Sequence, residues 1–172
     1  MLDYFLEEQE DSIDSKEKMW GELYHLVFYF LSNFKSVKKD IEIAVKQAVA
    51  IYEMTDYLLY LEDKNISWLE DTLTFFVYNF LTLPLIKQFL KFDLHLNEVE
   101  LIDRQGKIYR IDRILFSKEQ VVVFDFKLKF DEIYKPKYES QVRKYISLLS
   151  GIGYNNIIGY LAYIKDGRID KV

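Results

Sequence analysis

The tightest constraint on this chain is a pair of apolar runs, Ile108 to Phe116 and Val121 to Lys127, separated only by Ser117-Lys118-Glu119-Gln120. Runs rich in β-branched and aromatic residues on either side of so short a polar break form a β-hairpin. Each run carries an acid among apolar neighbours: Asp112 within Ile111-Asp112-Arg113-Ile114, and Asp125 within Val123-Phe124-Asp125-Phe126-Lys127. Side chains alternate faces along a strand, so Asp125 and Lys127 point one way while Phe124 and Phe126 point the other. Asp112, on the neighbouring strand, reaches the same spot. Two carboxylates and an ammonium at one sheet edge suit phosphodiester hydrolysis, because hard oxygen ligands hold Mg2+ or Mn2+ and the lysine stabilises a hydroxide or the developing negative charge. Asp-x-Lys is a common tripeptide, and a buried ion pair that only orients the sheet is the plain structural alternative.

The hairpin sits inside a longer alternation of elements. Residues 1–16 form an acidic lead-in with weak patterning, read as disordered or as a piece of a larger protein. From Glu17 to Asn33 an apolar face runs through Trp20, Leu23, Tyr24, Val27, Phe28 and Leu31, which predicts a helix containing His25. A histidine in that setting is more often a hydrogen-bonded core residue than a ligand. Asp40 can cap a second helix running toward Leu61, and Ser67 a third through Leu81. Pro84 ends or restarts that helix, and a short one follows from Leu85 to Lys91.

A first strand is predicted over His95 to Ile102, with Glu98 and Glu100 on one face and Val99 and Leu101 on the other. The turn Asp103-Arg104-Gln105-Gly106 leads into the hairpin. Pro136 falls in the first turn of a helix through Tyr138, Gln141, Val142, Tyr145 and Leu149, followed by strands at Ile157 to Ile164 and Ile169 to Val172. The pattern as a whole predicts an α+β domain with a mixed central sheet flanked by helices and a helical N-terminal half. At 172 residues and 50% hydrophobic content, a single domain spanning 1–172 buries a sizeable core.

Charge and cysteine usage narrow the chemistry. A net charge of -5 weighs against nucleic-acid binding by the chain as a whole, yet Arg110, Arg113, Lys127, Lys129, Lys135 and Arg143 crowd the region of the hairpin and leave room for a locally basic groove. With no cysteine there is no iron–sulfur cluster or thiolate zinc site, and a cytoplasmic setting is expected. Apolar stretches are broken by charge too often to span a bilayer, so no membrane is expected as a partner.

The order helix, three strands, helix, strand, with an acid on the second strand and Asp-x-Lys on the third, resembles the PD-(D/E)XK nuclease superfamily, with its restriction-endonuclease-like fold. More narrowly, the chain is similar to the RecB/AddA-type nuclease domain from about residue 17 onward. Gly21-Glu22-Leu23-Tyr24-His25 resembles that family's glycine-then-histidine helix, Ile111-Asp112-Arg113 its I-D-R strand, Asp125-Phe126-Lys127 its D-Y-K strand, and Gln141-Val142-Arg143-Lys144-Tyr145 its Q-x-x-x-Y helix. The resemblance implies a Mg2+- or Mn2+-dependent DNA exonuclease acting in repair or recombination. It implies His25, Asp112, Asp125 and the backbone carbonyl of Phe126 as metal ligands, and Asp112, Asp125, Lys127, Gln141 and Tyr145 as catalytic residues. An upstream glutamate often assists such sites; Glu98 or Glu100 could serve, and Glu98 is preferred.

Gln141 and Tyr145 are spaced i, i+4 and share one helix face. Either they approach the site edge or the DNA together, or they are simply a core tyrosine and a rim glutamine. Arg110, Arg113, Lys129, Lys135 and Arg143 are candidates for DNA backbone contacts. The family's usual glycine two residues before the I-D-R aspartate is here Arg110, whose bulk narrows the groove or supplies a phosphate contact. Related nucleases with four cysteines around an iron–sulfur cluster are excluded. DNA, single-stranded or at duplex ends, is the expected partner. A helicase domain or subunit is a second, since the chain has no G-x-x-x-x-G-K-[ST] phosphate loop of its own. The alternatives are a stand-alone RecB-like exonuclease and a catalytically silent DNA-binding or assembly domain of the same fold.

Overall fold

The computed structural model describes residues 15–32, 38–53 and 65–172. Most of the acidic lead-in and the end of the helix predicted to run toward Leu61 lie outside them. Helices α1 (Ser15–Phe30), α2 (Lys38–Glu53) and α3 (Ile66–Leu81) come first, then α4 (Pro84–Gln88) and a 3-10 turn at Phe89–Lys91. Strands β1 (Leu94–Ile102), β2 (Ile108–Phe116) and β3 (Val121–Lys127) follow, then α5 (Lys135–Gly151), β4 (Ile157–Tyr163) and β5 (Arg168–Lys171). This is the α+β architecture expected from the pattern. Helix α3 starts earlier than predicted: Asn65, not Ser67, is its cap, and the Asn65 side chain accepts from the Trp68 N–H. Pro84 restarts the chain as the opening residue of α4, where its missing N–H costs no hydrogen bond. Among the described residues, no single helix is long and apolar enough to cross a membrane.

The five strands lie in sequence order, antiparallel except for β3 and β4, which run parallel. A parallel pair needs a crossover, and α5 provides it. Helices α1 to α4 cover one face, where Val122, Phe124, Phe126, Tyr160 and Ala162 pack among Leu23, Val27, Phe28 and Phe80. Helix α5 covers the other, with Val123, Tyr145 and Leu149 in one cluster and Val142, Leu161 and Tyr163 in another. The helix lies so close to β4 that a Cβ on Gly159 would meet Val142 Cγ1 at 2.3 Å, so only glycine fits there.

One rung of the sheet breaks the alternation. In β1, Asn97 reaches toward α1, donating from its side chain to the Tyr29 carbonyl at 2.9 Å, while Val99 packs on the α5 side. Two residues apart, they would share a face in a regular strand. Glu98 between them has φ of +51°, in the left-handed region, and this turns the strand over. β2 reverses at the same level: Ile111 and Ile114 both pack on the α5 side, and the Arg113 guanidinium reaches the end of α1. The expected simple division of β1 into a Glu98/Glu100 face and a Val99/Leu101 face therefore does not extend to Asn97.

Candidate metal centre

The reversed rung is where the acids meet. Asn97 pairs with Arg113 and Val99 with Ile111, which sets Glu98 opposite Asp112. From the helical face, α1 delivers His25, whose Nδ1 lies 3.4 Å from Asp112 Oδ1. Ligand atoms of His25, Glu98 and Asp112 all lie within 4.8 Å of one another. On the other side of Asp112 the β2–β3 ladder ends at the Arg113–Phe124 pair, and Asp112 Oδ2 accepts the Phe126 N–H at 2.6 Å. A side chain thus substitutes for a main-chain partner, and the two strands part at the site.

Asp125 and Lys127 point together toward α5, as their spacing predicts, with Lys127 Nζ 2.9 Å from Asp125 Oδ2. The lysine also sits over the Tyr138 ring, 4.4 Å from its centroid. Tyr138 was not among the sequence-derived candidates, although it shares a face of α5 with Gln141 and Tyr145 through 3- and 4-residue steps. Asp125 is not one of the three clustered ligands; its carboxylate belongs to Lys127. Glu98, the optional ligand of the sequence reading, takes the third place. The Phe126 backbone engages Asp112 through its N–H.

Electrostatics follow from crowding. Burial, reinforced by the facing Asp112 carboxylate, pushes Glu98 up to about 7. Burial also raises Asp125 to about 6; Asp112 adds to this and Lys127 opposes it. For Asp112 itself, burial is outweighed by His25, Lys127 and the Phe126 N–H, so its pKa falls below the usual aspartate range. Burial would lower His25, but Asp112 more than reverses this and raises it. Lys127 is likewise raised, burial being overcome by Asp125 and Asp112. One imidazole nitrogen and two carboxylates, with a third carboxylate alongside, are a donor set suited to a hard divalent cation such as Mg2+ or Mn2+. The fit is supported by the facing of two carboxylates: Glu98, at a positive φ, lies opposite Asp112, and a bound dication would offset the repulsion between them.

Gln141 and Tyr145 act on the strand carrying Asp112. Gln141 Nε2 donates to the Tyr145 oxygen at 2.6 Å, and the Tyr145 hydroxyl donates to the Arg110 carbonyl at 2.7 Å. Tyr145 is buried. These contacts tie α5 to β2 and set the Gln141–Tyr145 face against the strand that carries Asp112.

Arg113 corrects the sequence reading most sharply. It is 0% exposed and unable to touch DNA. Its Nε donates to Asn97 Oδ1 at 2.8 Å, and its Nη2 donates to the carbonyls of Phe28, at 2.6 Å, and Leu31. Asn97 and Arg113 together take up the open carbonyls at the end of α1, the helix that carries His25. Burial lowers the Arg113 pKa to about 9, which still leaves it charged at neutral pH.

The other basic candidates hold acidic partners. Lys129 pairs with Glu17, Lys135 with Asp170 at 3.5 Å, Arg143 with Glu139 at 3.1 Å, and Arg110 Nε with Glu98 Oε2 at 2.8 Å.

No family model matches this chain, and no curated protein matches it. Among solved structures it is similar to the one described as "Crystal structure of SSO0001", at 20% identity over 99% of this chain and 71% of that one. The TM-score of 0.33 makes this a loose likeness that bears on neither activity nor family.

Proposed function

We propose that this protein is a Mg2+- or Mn2+-dependent nuclease that hydrolyses DNA phosphodiesters, with the exonuclease character of the RecB/AddA-type domains whose motifs it resembles. The observation that carries this reading is the convergence of His25, Glu98 and Asp112 ligand atoms within 4.8 Å of one another, on a rung whose Asp112 is flanked by the Asp125–Lys127 pair. His25, Glu98 and Asp112 would hold the cation, with Asp125 close by. When bound, such an ion supplies Lewis-acid polarisation of a phosphoryl oxygen and of the attacking water. Lys127 is held between the Asp125 carboxylate and the Tyr138 ring, which fixes its ammonium where it can orient that water and offset charge gathering on the phosphate. Water adds to phosphorus as the bond to the leaving sugar oxygen breaks, and the leaving oxygen takes up a proton. Gln141 and Tyr145 hold the β2 backbone, and through it Asp112, at the proper height.

A nuclease assay with Mg2+ on single-stranded DNA, comparing the parent with Asp125→Ala and Lys127→Ala, tests the proposal. The parent cleaves and both variants lose at least about a hundredfold, the scale of losing one aligned electrostatic contributor. Equal activity in all three proteins overturns it.

A further inference from the structure

Arg110 lies two residues before Asp112 and binds Glu98 through a 2.8 Å contact from Nε. Glu98 is also one of the three clustered ligands. The same carboxylate therefore serves a fixed monocation now and is positioned to serve a dication. We infer that Arg110 competes with the divalent cation for Glu98 and, once displaced, becomes a contact for the DNA phosphate, so that metal and DNA binding are coupled through this one side chain. The inference rests on the metal-site reading above.

Three observations support it. First, the Arg110 backbone and side chain are held separately: its carbonyl accepts from the Tyr145 hydroxyl, which Gln141 in turn holds, while its side chain is 32% exposed and within reach of solvent. Second, the surroundings already hold at least as much positive charge as negative: Glu98, Asp112 and Asp125 face Arg110, Lys127 and His25, and the buried Arg113 acts on Glu98 and Asp112 as well. A dication that takes over Glu98 leaves an excess of positive charge. A phosphodiester is an anion that restores the balance, and a guanidinium recognises it through paired N–H donors. Third, the other basic side chain on this part of β2, Arg113, is fully buried at the end of α1 and cannot supply that contact.

Thermodynamic linkage gives the consequence. If the cation releases Arg110 toward DNA, DNA strengthens cation binding by the same factor. Arg110→Met keeps an unbranched stem and the backbone bond to Tyr145 while removing the guanidinium; Arg110→Lys keeps a charge without the fork. Isothermal titration of Mn2+ into the parent and both variants, without DNA, reads the competition. Anisotropy of a labelled single-stranded oligonucleotide, in Ca2+ and in chelator, reads the coupling. Arg110→Met is expected to bind Mn2+ about tenfold tighter than the parent, the order of a coupling between neighbouring sites. It should also bind DNA more weakly and lose most of the Ca2+ dependence, with Arg110→Lys intermediate. Unchanged or weaker Mn2+ binding by Arg110→Met, with the variant folded by circular dichroism, overturns the inference and leaves the metal site standing. Failure of the parent to bind Mn2+ overturns both.

Discussion

Asp112 accepts the backbone N–H of Phe126 at 2.6 Å, so a side chain on β2 takes the place of a strand partner for β3. The same carboxylate faces His25 through its other oxygen. Structure and charge can be separated here by substitution. Asp112→Asn keeps an acceptor for the Phe126 N–H and Asp112→Ala does not, while both remove the charge. We expect Asp112→Asn to be more stable than Asp112→Ala by about 1–3 kcal/mol, the cost of leaving a buried donor unpaired. Urea unfolding measures the difference, and equal midpoints would contradict the bond's role.

Cation binding should stabilise the fold, because the three ligands are assembled only in the folded chain. Mn2+ at a hundredfold excess over its dissociation constant is expected to add about 2.7 kcal/mol, visible as a higher Tm. Glu98→Gln and Asp112→Asn should lose most of this shift. Arg143→Ala, on a side chain 64% exposed, should keep it.

The raised acids set a pH dependence in chelator. Glu98 stands at about 7 against an ordinary 4.5, and Asp125 at about 6 against 3.8. Both bind protons more readily in the folded chain, so the stability they contribute is complete below their ordinary values and is lost as pH rises through their folded ones. His25, also raised, has the same sign above its ordinary 6.5. Asp112, lowered, acts in the opposite sense: its contribution is present above 3.8 and disappears as pH falls through its folded value. Tm in EDTA should therefore fall between about pH 4 and pH 7. Glu98→Gln should flatten the upper part of that decline, and a parent Tm that rises steadily over the range would refute the assignment.

Arg113→Ala removes a buried cation from Asn97 and from two carbonyls at the end of α1. A loss of about 3–5 kcal/mol is expected, as for other broken buried charge networks. By contrast, Arg143→Ala should stay within about 0.5 kcal/mol of the parent, as surface substitutions do. Chemical denaturation of the two variants side by side provides the comparison.

Gly159→Ala places a methyl group where Val142 Cγ1 is 2.3 Å away. Overpacking of this kind costs about 1–3 kcal/mol. A normal Tm for this variant would mean that α5 can lift from β4.

Much of the fold is legible in the sequence because its signals are local. The helical stripe through Trp20, Leu23, Val27 and Phe28, the short break between β2 and β3, and the i, i+2 step that brings Lys127 to Asp125 all depend on near neighbours. What is missed depends on distant ones. Arg113 resembles a surface cation until the end of α1 arrives with open carbonyls 82 to 85 residues away along the chain. A glutamate with positive φ has no local signature, so the reversal at Glu98, which sets this already favoured acid opposite Asp112, emerges only when β1 and β2 are paired. Asn65 and Ser67 are both good caps, and the choice between them falls to the side-chain bond with Trp68.

Because β1 and β2 change sides on the same rung, neither can slide past the other without carrying Asn97 or Arg113 away from α1 and setting Val99 or Ile111 against the wrong helix. The turn joining them, Asp103 to Lys107, is then free to vary in length or composition without disturbing the distance between Glu98 and Asp112. The spacing of the acids is guarded by a notch in the sheet itself.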